Sequence, residues 1–292
     1  MTTSTDPWTA ARAPGVGGTV GVVMDQAGSE NFPVATMLLP RRIRRHLLAL
    51  YGYARFIDDV GDESDGDRPA SLDAAERELD AAMAGAATHP IFVELERTIE
   101  LCSLDRPTLV GLIEANRMDQ VKPRYATFDE LVSYCSLSAN PVGRLVLAIF
   151  GASNSVTVHL SDEVCTALQI VEHLQDVGED FEAGRIYLPQ TDLERFGVVE
   201  ADFAAPSASP ALRRAVAFEA SRATGLLRSG AVLGEYLSGT DRIAVAGFVG
   251  GGLAQLRALR LASYDVLSQT VKATKFQIAA ESLKLLSNWN RR

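Results

Sequence analysis

The chain has 292 residues, 47% of them hydrophobic and 22% charged, a composition that suits one large soluble domain and excludes a disordered or fibrous chain. A formal net charge of −9 sets the bulk surface against nucleic acid and anionic membrane, so no DNA or RNA partner is expected. Three cysteines, Cys102, Cys135 and Cys165, stand in apolar stretches without CxxC spacing, and the odd count fits buried thiols in a reducing compartment.

Residues 1–28 mix small, polar and glycine residues with no sustained period and are expected to form a mobile tail. They lack the basic and continuous apolar regions of a secretory signal, so export is not expected. After them apolar residues return every three or four positions, which predicts helices over 40–65, 71–86, 89–103, 106–121, 127–151, 161–183, 209–237, 240–269 and 275–288. Ser71, Thr127 (with Glu130 three residues on) and Ser161 read as N-caps, and Gly66 and Gly184 as residues just past helix ends. The longest mainly apolar run, 243–256, holds four glycines and Gln255 and falls short of the ~20 apolar residues that span a bilayer. A cytoplasmic, all-α, single bundle is expected, with contact at a membrane surface left open.

Two of these helices carry acids where an apolar context predicts core. In LLALYGYARFIDDVGDE, Asp58 and Asp62 lie four residues apart, and Asp59 and Glu63 repeat the spacing one position along. In LQIVEHLQDVGEDFEAGRIYLP, Asp176 and Asp180 do the same, with Glu179 beside them. Side chains at that spacing share a stripe with Cβ atoms about 6 Å apart, and like charges there cost a few tenths of a kcal/mol, more when partly buried. Tyr51 and Arg55 continue the first stripe, Gln169 and Glu172 the second. A lone DxxxD is ordinarily a solvated face. Two of them, each in apolar surroundings, predict facing seams whose carboxylates gather Mg²⁺ and, through it, a diphosphate.

From Ser29 to Leu267 the chain resembles the squalene/phytoene synthase family, on YARFIDDVGDE, QIVEHLQDVGEDFEAGRIYLP and the intervening YATFDELVSYC. The resemblance implies an isoprenoid-synthase helical bundle with a central cavity, a domain over 29–292, several Mg²⁺ ions and a prenyl diphosphate substrate. ENFPVATMLLP (30–40), SANPVGRLVL (138–147) and Gln175, where most relatives carry arginine, are similar to the bacterial hydroxysqualene synthases of hopanoid pathways. That implies presqualene diphosphate as substrate, water capture of the cation, no nicotinamide, and hand-off to other enzymes of a hopanoid or squalene pathway. The alternatives are a presqualene diphosphate, squalene or phytoene synthase, and more remotely a non-catalytic helical scaffold.

By the same resemblance Asp58, Asp62, Asp176 and Asp180 match metal-binding aspartates, and Arg55 and Ser29 match phosphate contacts. Phe32, Tyr51, Tyr134 and Gln169 match cavity residues, with Arg185, Tyr187 and Tyr264 near its mouth. Glu172 stands where the family usually has a metal-binding asparagine, and Gln175 removes a cation beside the diphosphate. Asn140 and Arg144 are candidates for placing water, since the Asn-Pro step frees backbone polar groups, or they mark a simple proline kink. Asp119 and Lys122 read as phosphate contacts or surface charges. His173 reads as a packed core histidine, and Arg41, Arg42, Arg44 and Arg45 as a solvated face or an anionic-lipid contact.

Overall fold

A computed structural model describes residues 39–62 and 66–291. The predicted tail, Ser29, Phe32 and Glu63 lie outside them. Among the described residues there are α-helices and 3-10 turns and no strand, only one isolated bridge between Arg124 and Ile186. The α-helices are α1 (Arg41–Asp62), α2 (Arg68–Met83), α3 (Pro90–Cys102), α4 (Arg106–Asp119), α5 (Phe128–Ser138), α6 (Asn140–Phe150), α7 (Ser155–Gln175), α8 (Val177–Glu182), α9 (Gln190–Phe196), α10 (Pro210–Gly230), α11 (Gly239–Leu261) and α12 (Lys275–Trp289). None is long and apolar enough to cross a membrane. Contacts group the chain into two compact units: one through Val121 with Arg144–Ser153, the other Lys122–Gly143 with Asn154–Arg292.

In the first unit α1 buries Leu47, Leu50, Tyr53, Ile57 and Val60, a three-and-four spacing, against α2, α3 and α4. The buried Tyr53 hydroxyl donates to the Leu109 carbonyl at 2.9 Å, and the His46 ring meets Thr98 Oγ1 at 2.9 Å. These two buried polar side chains thus keep a partner each. Tyr53 and Phe56 are core, stacked edge-on against Phe92, and stand off the acidic stripe. Arg106 and Arg117 of α4 bind α2 through Glu76, Asp80 and Asp73.

The second unit is built on α7, which packs against α10 and α11, and α12 lies on α11. Residues 122–126 run beside 184–191: Ile186 N–H donates to the Pro123 carbonyl and Gln190 N–H to that of Tyr125. Arg222 of α10 donates to Asp192 at 2.5 Å and Glu219 at 2.7 Å, its guanidinium lying over Phe128 and Phe218. Burial still pushes the Glu219 carboxyl up to about 7, with Arg222 opposing.

Most predicted helices form, with instructive differences. The stretch 127–151 is two helices, because Pro141 supplies no N–H at the start of α6 and the chain breaks at Ala139. The helix predicted from Ser161 begins at Ser155: Asn154 and Thr157 form a reciprocal capping box, and Ser161 is buried inside α7. Asp67, not Ser71, caps α2 by accepting from Ala70 N–H; Thr127 caps α5 as expected. Gly184 takes φ +81° just past α8, the conformation its helix-end role requires. The stretch 209–237 ends as a 3-10 turn at Ala231–Glu235, and 240–269 stops at Leu261, where Ser263 and Tyr264 adopt left-handed backbone. Short α9 escapes periodicity altogether. Cys135 is buried, its thiol pushed up to about 12 by burial, while Cys102 and Cys165 are only half-buried.

Candidate active site

In the first unit the acids sit in the last two turns of α1. Asp58 and Asp62 are exposed, and Tyr51, Arg55 and Asp59 are half-buried. Asp58 Oδ1 accepts from Asn116 Nδ2 of α4 at 3.1 Å, and Arg55 Nε pairs with Asp59 Oδ1 at 2.8 Å. Asn116 is buried and also donates to the Leu112 carbonyl, which fixes its amide orientation. Gln120 Nε2 donates to the carbonyls of Gly61 and Asn116. The approach requires glycine, since a Cβ at position 61 would lie 2.0 Å from Asn116 Oδ1. Asn116 and Gln120 were not anticipated from the acidic pattern; Gly61, a glycine inside a helix, was the available signal of a close contact.

In the second unit the stripe is not one continuous helix. Asp176 sits at the break between α7 and α8, with φ −101° and ψ 16°, although Asp176 N–H still reaches the Glu172 carbonyl and Asp180 N–H that of Asp176. Glu172 and Glu179 are exposed, Gln169, Gln175, Asp176, Asp180 and Arg185 half-buried. Burial first, then the charges of Glu172, Glu179 and Asp180, push the Asp176 carboxyl up to about 6.

His173 ties this stripe to an aromatic group. Its Nδ1 lies 3.6 Å from Asp180 Oδ2, its Nε2 3.3 Å from Gln169 Nε2, and its ring stacks on Tyr187 at 3.6 Å. Tyr187 in turn stacks on Tyr125 at 5.5 Å and meets Tyr134 at 5.5 Å. The rings of Tyr125, Tyr134 and Tyr187 are buried, and Lys122, paired with Glu130, lies over Tyr125. So Gln169, Tyr134, Tyr187 and Asp180 come together, and His173, a packed histidine as expected, is what joins them. Asn140 is buried and accepts from Thr166 Oγ1 at 2.9 Å. Arg144 belongs to the first unit, and Tyr264 stands on the left-handed turn after α11, outside the ring group.

The donors suit a hard cation. Every acid of the two stripes offers carboxylate oxygen, the ligand of Mg²⁺ rather than of zinc. Crowding at Asp176 is repulsion that a cation would relieve. Among the described residues, however, no group of three or more His, Cys, Asp or Glu is close enough to hold an ion by itself. Mg²⁺ commonly keeps waters and binds through one or two carboxylates together with substrate phosphate.

Comparison with known proteins agrees with the helical architecture. The squalene/phytoene synthase model matches residues 26–277. Hydroxysqualene synthase of Rhodopseudomonas palustris is 38% identical over 205 residues, 69% of this chain and 69% of that protein. The hydroxysqualene synthase of Zymomonas mobilis is 35% identical over 263 residues, 88% of this chain and 85% of that protein. Matched relatives also include phytoene synthases. The crystal structure of squalene synthase HpnC from Alicyclobacillus acidocaldarius superposes with a TM-score of 0.78 at 41% identity, covering 87% of this chain and 97% of that one. By sequence and by helical fold, the chain belongs to the squalene/phytoene synthase family of isoprenoid synthases.

Proposed function

We propose that the protein is a hydroxysqualene synthase, converting presqualene diphosphate and water into hydroxysqualene and diphosphate within a single catalytic domain over residues 29–292. The observation that carries this reading is the similarity to hydroxysqualene synthases along most of the chain, joined to Gln175, which leaves one cation fewer beside the second acidic motif.

Asp58, Asp62, Asp176 and Asp180, with Glu172, would hold Mg²⁺, which supplies positive charge to the departing diphosphate. Asn116 holds the Asp58 carboxylate in one orientation, and His173 does the same for Asp180. Arg55, Arg185 and Ser29 serve the phosphate oxygens. By the resemblance, Tyr51, Phe32, Tyr134, Gln169, Tyr187 and Tyr264 are assigned to the hydrocarbon substrate, whose migrating positive charge ring faces would stabilise while excluding stray water. Asn140 spends its carbonyl oxygen on Thr166, so its amide N–H groups are what remains to orient the attacking water, with Arg144 as a second candidate. Water donates the oxygen and loses a proton, so no nicotinamide reductant enters the balance. The product then passes to the next enzyme of a hopanoid or squalene pathway.

Purified protein with Mg²⁺ is expected to form hydroxysqualene from presqualene diphosphate, read by mass spectrometry. A lipid product from farnesyl diphosphate alone would reject this reaction in favour of the second reading, a condensing synthase like the matched phytoene synthases. Unchanged turnover in both Asp58→Asn and Asp176→Asn would reject catalysis by these motifs, since lost electrostatic stabilisation of this kind costs roughly a hundredfold or more in rate.

A further inference from the structure

The C-terminal helix α12 carries exposed apolar side chains along one flank. Its inner side is set by Ser282, which packs on Gly250 of α11 so closely that a Cβ there would meet Ser282 N at 2.8 Å, and by Trp289, buried against Gly234. On the adjoining flank, about a quarter to a third of a turn round the helix, Phe276 is 82% exposed and Leu283 65% exposed. They stand seven residues apart, two turns along one stripe, with Ala279 exposed between them. Among the described residues, nothing in its own unit covers this stripe.

The charge around it is the reverse of the chain's. Residues 257–292 carry seven basic side chains against two acids, in a protein of net charge −9. Both acids are already engaged: Asp265 with Arg213, and Glu281 with Arg257 and Lys284. Helices α11 and α12 run antiparallel, as the Arg242–Asn290 and Gln255–Ala273 hydrogen bonds require. The end of α11, with exposed Arg257, Arg260 and Leu261, therefore lies at the same end of the pair as Lys272, Lys275 and Phe276.

We infer that this face of α11 and α12 docks on an anionic lipid bilayer, Phe276, Leu283 and Leu261 entering the interface while the arginines and lysines meet lipid phosphate. Apolar side chains rimmed by basic ones are the composition of a helix lying in the membrane plane. A two-fold dimer through the same face would set its basic residues against their own copies, which disfavours that occupant. A polyanion such as nucleic acid gives no use to the exposed Phe276 and Leu283. Each basic residue near an anionic surface is worth about fivefold in affinity, so the contact is reversible and salt-sensitive. The inference is independent of which prenyl diphosphate the protein uses.

The test is flotation of the purified full chain with vesicles of phosphatidylcholine alone or mixed with phosphatidylglycerol. Binding is expected to the mixed vesicles at low salt and to be lost at high salt. Phe276→Ser with Leu283→Ser is expected to weaken it by roughly tenfold or more, and Lys272→Glu with Lys275→Glu at least as much, with helicity by circular dichroism and turnover unchanged. Equal binding to neutral vesicles, no binding, or unaltered binding by both variants would overturn it. So would loss of binding in Arg41→Glu with Arg42→Glu alone, which moves the surface to α1. A dimer dissociated by the serine variant with flotation unaffected would assign the face to a second copy instead.

Discussion

Asp176 shows most directly what a single residue contributes to this fold against its stability. Its carboxyl holds a proton up to about 6, whereas the unfolded chain releases it near the ordinary carboxylate value. Between those values the folded state binds the extra proton, so stability falls as pH rises through the window and the penalty is complete above it. Asp176→Asn is therefore expected to raise the melting temperature at about pH 8 and to raise it much less at about pH 5, where the native aspartate is already largely neutral. An equal gain at both values, in thermal unfolding followed by circular dichroism, would mean the repulsion from Glu172, Glu179 and Asp180 is not its source. The sequence pattern contained this pair, since two acids at helical spacing in apolar company are visible in the letters alone. It did not contain the backbone break at Asp176 or the His173 contact to Asp180. Nor did it contain the pairing of residues 122–126 with 184–191, which has no local signature.

At the scale of elements, helix existence was legible and helix ends were less so. Periodicity marks which face is buried, but a boundary is chosen by whichever cap wins, and Asn154 with Thr157 wins over Ser161, as Asp67 does over Ser71. The contact between α1 and α4 belongs to this scale too, and it carries a testable balance of magnitudes. Gly61→Ala should gain about 0.5–1 kcal/mol of helix propensity. The 2.0 Å approach to Asn116 Oδ1 opposes it, and overpacking of that kind costs about 1–3 kcal/mol. Net destabilisation is expected in urea titration. It should shrink when Asn116→Ala is added, because the added methyl then meets only the remaining Cβ. Asn116→Ala alone releases Asp58 and should lower turnover by about tenfold to a hundredfold, the usual effect of losing a partner that orients a ligand. A Gly61→Ala protein as stable as the parent would show that α1 and α4 separate more readily than their packing implies.

For the whole molecule, the distribution of acids predicts how ligands couple to folding. Among the described residues no three carboxylate or imidazole groups gather into one nest, and Mg²⁺ characteristically binds through one or two carboxylates together with phosphate oxygen. Inorganic diphosphate by itself meets a chain of net charge −9. Supplied together, each completes the other's coordination. A ligand that binds the folded state and saturates it about a hundredfold above its dissociation constant adds about 2.7 kcal/mol. In a chain of this size each kcal/mol shifts the midpoint by roughly 2–4 °C. Thermal unfolding is thus expected to move up by about 5 °C or more with Mg²⁺ and diphosphate together, and by far less with either alone. Under the proposed function, in which both aspartate pairs serve one diphosphate, the joint shift is expected to vanish in Asp58→Asn and, separately, in Asp176→Asn. A full shift with Mg²⁺ alone, or one that survives both substitutions, would locate the anion elsewhere and remove the two aspartate motifs from the binding of diphosphate.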